Sequence, residues 1–156
     1  MTPAITVARQ NNISHTVHEY PHDPASHSYG NEAAEKLGIP AERVFKTLVV
    51  LLDQKELAVA VVPVSSSLSM KNIARSAGAK KAIMAPRADV ERATGYVLGG
   101  VSPLGQKKKL RTVIDSSAKG FTSIYVSAGR RGLEIELNAD DLKTLTRAIY
   151  AEISQL

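Results

Sequence analysis

Two β-rich runs, Arg43 to Leu52 and Glu56 to Pro63, lie on either side of the polar tip Asp53-Gln54-Lys55 and set the first constraint on the fold. Runs of branched aliphatic residues with a short polar connector read as a β-hairpin. The first run is apolar on both faces: Val44, Leu48 and Val50 share one, and Phe45, Val49 and Leu51 share the other. A strand of that kind is normally buried. Lys46 interrupts it. An unpaired ammonium is strongly disfavoured in such a setting, so three placements stand. Lys46 reaches a pocket, pairs with a carboxylate, or sits at the exposed start of the strand with its stem snorkelling to water.

The other elements are short. Pro3 opens a helix with Ala4, Val7 and Ala8 on one face, ending near Asn11-Asn12, and a strand runs from His15 to Tyr20. Pro21 to Gly30 reads as a loop, after which Asn31 caps a helix from Glu32 to Leu37 that Gly38 and Pro40 stop. Ser69 caps a helix from Met70 to Ala77, closed by Gly78; Lys81 to Met84 is a short strand, and Pro86 leads a helix from Arg87 to Ala93. A strand from Leu110 to Ile114 precedes a second hairpin, Ser123 to Ser127 with Leu133 to Leu137, around a turn at Ala128 to Gly132. Asn138 and Asp141 mark a final helix whose Leu142, Leu145, Ala148, Ile149 and Ile153 repeat with helical spacing. Strands and short helices in this order, without regular βαβ units, predict an α+β fold. The expectation is a single domain over residues 1–156, with a mixed, mostly antiparallel β-sheet or barrel flanked by short helices.

The segment from Gly95 to Lys109 sets a backbone rich in free donors directly before a block of positive charge. Gly99, Gly100 and Gly105 allow close approach to the main chain, while Pro103 stiffens the loop and holds Ser102 extended. Two readings stand: a pocket for an anionic ligand, with Gly100, Val101, Ser102 and Pro103 in its wall, or an ordinary surface turn with a solvated lysine run. Gly100 and Gly105 have the spacing of a P-loop, but Gln106 and Lys107 stand where that motif needs its lysine and its Ser/Thr, and Pro103 removes a donor from the cradle. Nucleotide hydrolysis is therefore disfavoured.

The net charge of +5 and a pI near 9.5 suit polyanionic partners, and Lys107, Lys108, Lys109 and Arg111 form the densest patch. Lys80, Lys81, Arg130 and Arg131 make two smaller ones. With two Phe and no Trp, base-stacking platforms are hard to build, so phosphate contact is the natural use of the charge. The chain has no cysteine, which excludes disulfides, thiolate metal sites and a protein thiol nucleophile. His15, His18, His22 and His27 match no compact zinc pattern, and no metal or other cofactor is expected. Ser102 lacks the glycine that a nucleophile elbow places two residues on, and Ser127 has no better context. Hydrolysis, if present, proceeds without a serine or cysteine nucleophile. Tyr20, at a strand end before Pro21, is either core edge or a hydroxyl directed into the pocket. The N-terminus lacks the pattern of a signal peptide and the apolar runs are too short to span a bilayer as helices, so a cytoplasmic location is expected.

His18 to Asp23, Asn31 to Gly38, Phe45-Lys46-Thr47-Leu48, Gly95 through Lys108, and Ile124 to Ser127 with Arg131-Gly132-Leu133 together give the chain its resemblance. It resembles the YbaK family of free-standing aminoacyl-tRNA deacylases, relatives of the editing domain of prolyl-tRNA synthetase. The resemblance implies hydrolysis of the ester joining a mischarged amino acid to the tRNA 3′ end, with Cys-tRNA(Pro) as the typical substrate. It implies that Lys46 is the essential lysine, that Gly99 to Pro103 is the Gly-x-x-x-Pro loop whose amides face the substrate carbonyl, and that Tyr20 is a pocket residue. It further implies that the substrate's own sulfhydryl attacks the carbonyl, with lyase-like release of a cyclised amino acid as a corollary, and that prolyl-tRNA synthetase is a partner. Glu134 stands where some members carry aspartate, and its role is left open. Lys107, Lys108, Lys109 and Arg111 would attract the acceptor stem. Two alternatives accompany this expectation: a non-catalytic tRNA-binding or synthetase-associated module, and a sibling deacylase acting on Ala-tRNA(Pro).

Overall fold

The computed structural model describes residues 1–156. Along the chain run α1 (Pro3–Gln10), β1 (His15–Glu19), α2 (Tyr29–Leu37), β2 (Phe45–Leu52), β3 (Glu56–Pro63), β4 (Ser67–Leu68), α3 (Met70–Ser76), β5 (Ala82–Met84) and α4 (Arg87–Thr94). The second half adds β6 (Arg111–Asp115), β7 (Ile124–Arg130), β8 (Leu133–Leu137), α5 (Ala139–Thr146), β9 (Ile149–Ala151) and β10 (Ser154–Gln155). The expected hairpin is β2–β3, paired in register from Phe45 opposite Pro63 to Leu52 opposite Glu56. It forms the centre of a five-stranded sheet of order β5-β2-β3-β6-β9, in which β3, β6 and β9 are parallel neighbours and the other pairs antiparallel.

Both faces of this sheet are covered, which is why β2 and β3 are apolar throughout. On one side Phe45, Val49, Val59, Val61 and Ile114 join the main core, packed against Ile124, Val126, Leu133, Ile135 and Leu137 of a second sheet and against α1 and α5. On the other, Val50, Leu52, Ala58, Ala60 and Val62 meet Ile73 and Ala74 of α3 and Ile153 near the C-terminus. The second sheet, β1-β8-β7, is antiparallel and touches the first through a parallel bridge between Val44 and Tyr125. Its outer face carries Glu134 and Glu136, and α2 lies over it through Ala33 and Ala34 in a small cluster with Tyr20, Val44 and Tyr125. The fold is thus α+β with mostly antiparallel pairing, as expected; the barrel alternative is not realised, since the sheets remain open at β5 and β9.

Three local expectations need correction. The last helix stops at Thr146, because Arg147 turns into the left-handed region (φ 55°) and its amide closes on Lys143 and Thr144. Ile149 then enters β9 beside β6, so the helical spacing of Ala148, Ile149 and Ile153 is coincidental. Helix α2 begins at Tyr29 rather than after Asn31. Gly30 lies in its first turn because a Cβ there would meet Val64 Cγ1 at 2.3 Å, so the glycine serves close packing and does not break the helix. Strand β7 continues to Arg130 through a register shift after Ser127, leaving Arg131-Gly132 as the turn.

Candidate functional site

A cavity of about 400 Å3 opens where the two sheets meet. Lys46 and Thr47 reach it from the start of β2, Ser127 from β7, Glu134 from β8, Tyr20 from the end of β1, and Leu98, Gly99 and Val101 from the glycine loop. The first turn of α2, with Ser28 to Asn31, completes the wall and adds the positive end of a helix dipole. Thus Lys46, Tyr20, Gly99 and Val101, distant in sequence, line one space.

The glycine loop is held firmly. Leu98 N donates to Glu91 Oε2 at 3.0 Å, and the Leu98 carbonyl accepts from Arg131 Nε and Nη2 at 3.1 and 2.5 Å. Arg131 also stacks over the Tyr29 ring, 4.5 Å from its centroid. Gly99 threads between these two side chains with φ 90°; a Cβ there would lie 2.6 Å from Arg131 Nε and 2.7 Å from the Tyr29 ring. Only glycine satisfies both the backbone conformation and the space. The amides of Gly99, Val101 and Ser102 donate to nothing within the protein, whereas Gly100 N bonds Val97 O at 2.9 Å. Gly99 and Val101 therefore offer unspent donors in the cavity wall. Gly100, Ser102 and Pro103 are buried behind it: Ser102 Oγ accepts from Leu104 N, and Pro103 lines a different cavity.

Of the three placements open to Lys46, the structure shows the pocket. The side chain is partly buried and takes part in no ion pair, and loss of solvation lowers its pKa. Glu134, 6% exposed, lines the same cavity, and burial pushes its carboxyl up to about 8. Tyr20 is pushed up to about 12, first by burial and then by the Glu134 carboxyl, so it stays a neutral hydroxyl. Desolvation thus drives all three groups toward their neutral forms. Thr47 carries a buried hydroxyl with no hydrogen-bond partner in the protein, which is uncommon and marks a place where a ligand can donate or accept.

The other singled-out residues are elsewhere. His18 bonds Glu136 at 3.0 Å and His22 bonds Glu32 at 2.7 Å; His27 alone of the four histidines lines the cavity. Ser127 lines it too, with Oγ accepting from Gly129 N. Lys107, Lys108 and Lys109 are exposed beyond the loop, while Arg111 is partly engaged by Glu56 at 3.3 Å. Sequence inspection missed Thr47, Tyr29 and the clasp made by Arg131, and left Glu134 without a role. The alternation of Glu134 and Glu136 with Leu133, Ile135 and Leu137 marks one polar face of β8, but nothing in it distinguishes Glu134.

The family model described as the aminoacyl-tRNA editing domain matches residues 23–145. A protein of Enterococcus faecalis named "Putative Cys-tRNA(Pro)/Cys-tRNA(Cys) deacylase EbsC" is 37% identical over 153 residues, covering 98% of this chain and 93% of that one. The proline–tRNA ligase of Geobacter metallireducens is 30% identical over 122 residues, covering 78% of this chain and 21% of the ligase. A crystal structure described as that of a putative trans-editing enzyme for prolyl tRNA synthetase superposes with a TM-score of 0.83 at 23% identity, over 98% of this chain and 93% of the other. No helix of the structure is long and apolar enough to cross a membrane. The resemblance read from Lys46, the glycine loop and the Arg131-Gly132-Leu133 segment is thereby borne out, and the chain belongs to the aminoacyl-tRNA editing domain family.

Proposed function

We propose that this protein is a trans-editing deacylase that cleaves the ester of mischarged Cys-tRNA(Pro). The observation that carries the reading is the meeting, in one cavity, of the unpaired Lys46 ammonium with the free amides of Gly99 and Val101. Such an arrangement suits an acyl ester: the amides receive the carbonyl oxygen as it becomes an oxyanion, and Lys46 holds the ribose or terminal phosphate. The name carried by the Enterococcus relative supports Cys-tRNA(Pro) as substrate, and the family match supports deacylation.

The chain has no cysteine, and neither serine near the loop hydrogen-bonds a general base, each Oγ meeting only a backbone N–H, so the nucleophile is assigned to the substrate. Its sulfhydryl sulfur bonds to the carbonyl carbon, the bond from that carbon to the ribose oxygen breaks, and the thiol proton leaves with the ribose hydroxyl. Water then opens the cyclised amino acid, so the net reaction is hydrolysis. Tyr20 and Glu134, both protonated near neutral pH, confine the amino-acid side of the pocket. Prolyl-tRNA synthetase is the natural partner, as the source of the mischarged tRNA.

Purified protein is expected to release cysteine from Cys-tRNA(Pro) with many turnovers, and Lys46→Ala to lose at least about a hundredfold in kcat/KM while unfolding at the wild-type urea midpoint. Salt-sensitive tRNA binding without ester turnover would replace this reading with a non-catalytic module. Equal release of alanine would point to the sibling specificity and to an activated water.

A further inference from the structure

A second cavity, of about 420 Å3, lies at the other end of the same loop, where Pro103, Leu104 and Gly105 form its wall. Lys108, Lys109, Arg111 and Arg147 line it, and no acidic side chain does. Arg111 is shared with Glu56 and donates to the Ala77 carbonyl, but Lys108, Lys109 and Arg147 enter no ion pair. Three cations without a compensating carboxylate, beside a fourth that has one in Glu56, repel one another, an arrangement that an anion relieves. Val7, Leu110 and Leu145 give the cavity an apolar floor.

Arg147 is the unexpected member. It stands at the end of α5 with φ 55° and ψ 36°, a position that glycine or asparagine fills with less strain. An arginine occupies this position although the backbone would be less strained with glycine.

We propose that this cavity is a phosphate-binding site for the sugar–phosphate backbone of the RNA, with a ribose on the apolar floor and its phosphate held by Arg147, Lys108 and Lys109. The proposal rests on the deacylase reading for the identity of the RNA. The cavity holds no aromatic side chain on which a base could stack, and the hydroxyls of Thr112 and Thr146 are spent on the Leu110 and Leu142 carbonyls at 3.0 and 2.8 Å. It can therefore hold a backbone but reads little of the base. One loop walls both cavities, Gly99 and Val101 facing the first and Pro103 to Gly105 the second.

The test measures binding of an uncharged acceptor-stem RNA hairpin by fluorescence anisotropy across a salt series. Arg147→Gly removes the charge while relieving the backbone, so loss of folding does not confound it. It is expected to weaken binding roughly tenfold and to lower the slope of log K against log salt by about one, as is Lys109→Ala. Lys71→Ala, an exposed lysine on α3, should change neither. With Cys-tRNA(Pro) as substrate, Arg147→Gly should raise KM and leave kcat intact. Wild-type affinity and slope in both cavity variants would overturn the proposal. So would displacement of the RNA by adenosine monophosphate at concentrations comparable to the RNA's own Kd, which would mark a free-nucleotide site. The binding arm needs no turnover, so a protein that fails to cleave the ester still tests the cavity.

Discussion

Replacing Glu134 by Gln is expected to change how stability depends on pH, and to do so more than it changes stability at any single mildly acidic pH. The carboxyl titrates near 4.5 when unfolded and is pushed up to about 8 by burial in β8. Below pH 4.5 both states hold the proton and the group contributes nothing. Between 4.5 and 8 the unfolded chain has released it while the folded chain keeps it, so stability falls as pH rises; above 8 the loss is complete. At about 1.4 kcal/mol for each pH unit, the full effect is roughly 5 kcal/mol. Gln keeps the shape of the side chain and cannot ionise. Urea denaturation of both proteins at pH 5, 6, 7, 8 and 9 measures the difference, in which groups common to both cancel. The variant should match the wild type within about 1 kcal/mol at pH 5 and exceed it by several kcal/mol at pH 9. A difference constant to about half a kcal/mol across the series would show that Glu134 titrates like an exposed carboxyl, and the account of the pocket's electrostatics would fall with it.

Gly99→Ala should cost about 1–3 kcal/mol, because the new methyl meets Arg131 and Tyr29 in a left-handed backbone, and should lose most deacylation, read from the urea midpoint and from single-turnover cysteine release. Thr47→Val replaces the partnerless hydroxyl with an isostere and should leave stability unchanged or raise it by up to about 1 kcal/mol; a drop in kcat/KM at unchanged stability would assign that hydroxyl to the substrate.

Much of this architecture was legible because the chain obeys local rules where its core is built. The β2–β3 hairpin follows from two aliphatic runs and a polar tip, and Ser69 at the start of α3 accepts from Asn72 N as a capping residue should. The misreadings have two causes: a residue used for long-range packing was read for its local preference, and a helix end carried no local signal. Gly30 is demanded by Val64 across the site, not by a turn, and Arg147 ends α5 without any of the residues that usually announce a helix end. The site was half legible. Lys46 stood out as a charge in an apolar strand, and the loop by its glycines. Thr47 and Tyr29 are ordinary residues whose importance comes only from what the fold sets beside them.

Lys46 and Glu134 line one pocket without forming an ion pair, and burial lowers the pKa of the first and raises that of the second. Had the carboxyl ionised, it would have opposed the positive field of Lys46, the loop amides and the α2 N-terminus, which is the field a developing oxyanion needs. Retention of its proton leaves that field undiminished, while the same carboxyl still presents a hydrogen-bond donor to the cavity. The cost is stability at alkaline pH. A pocket arranged in this way favours negative charge, which under the proposed deacylation appears on the carbonyl during attack or on the terminal phosphate before it. On the proposed deacylation, the protein polarises and holds the ester and the attacking atom comes from the substrate.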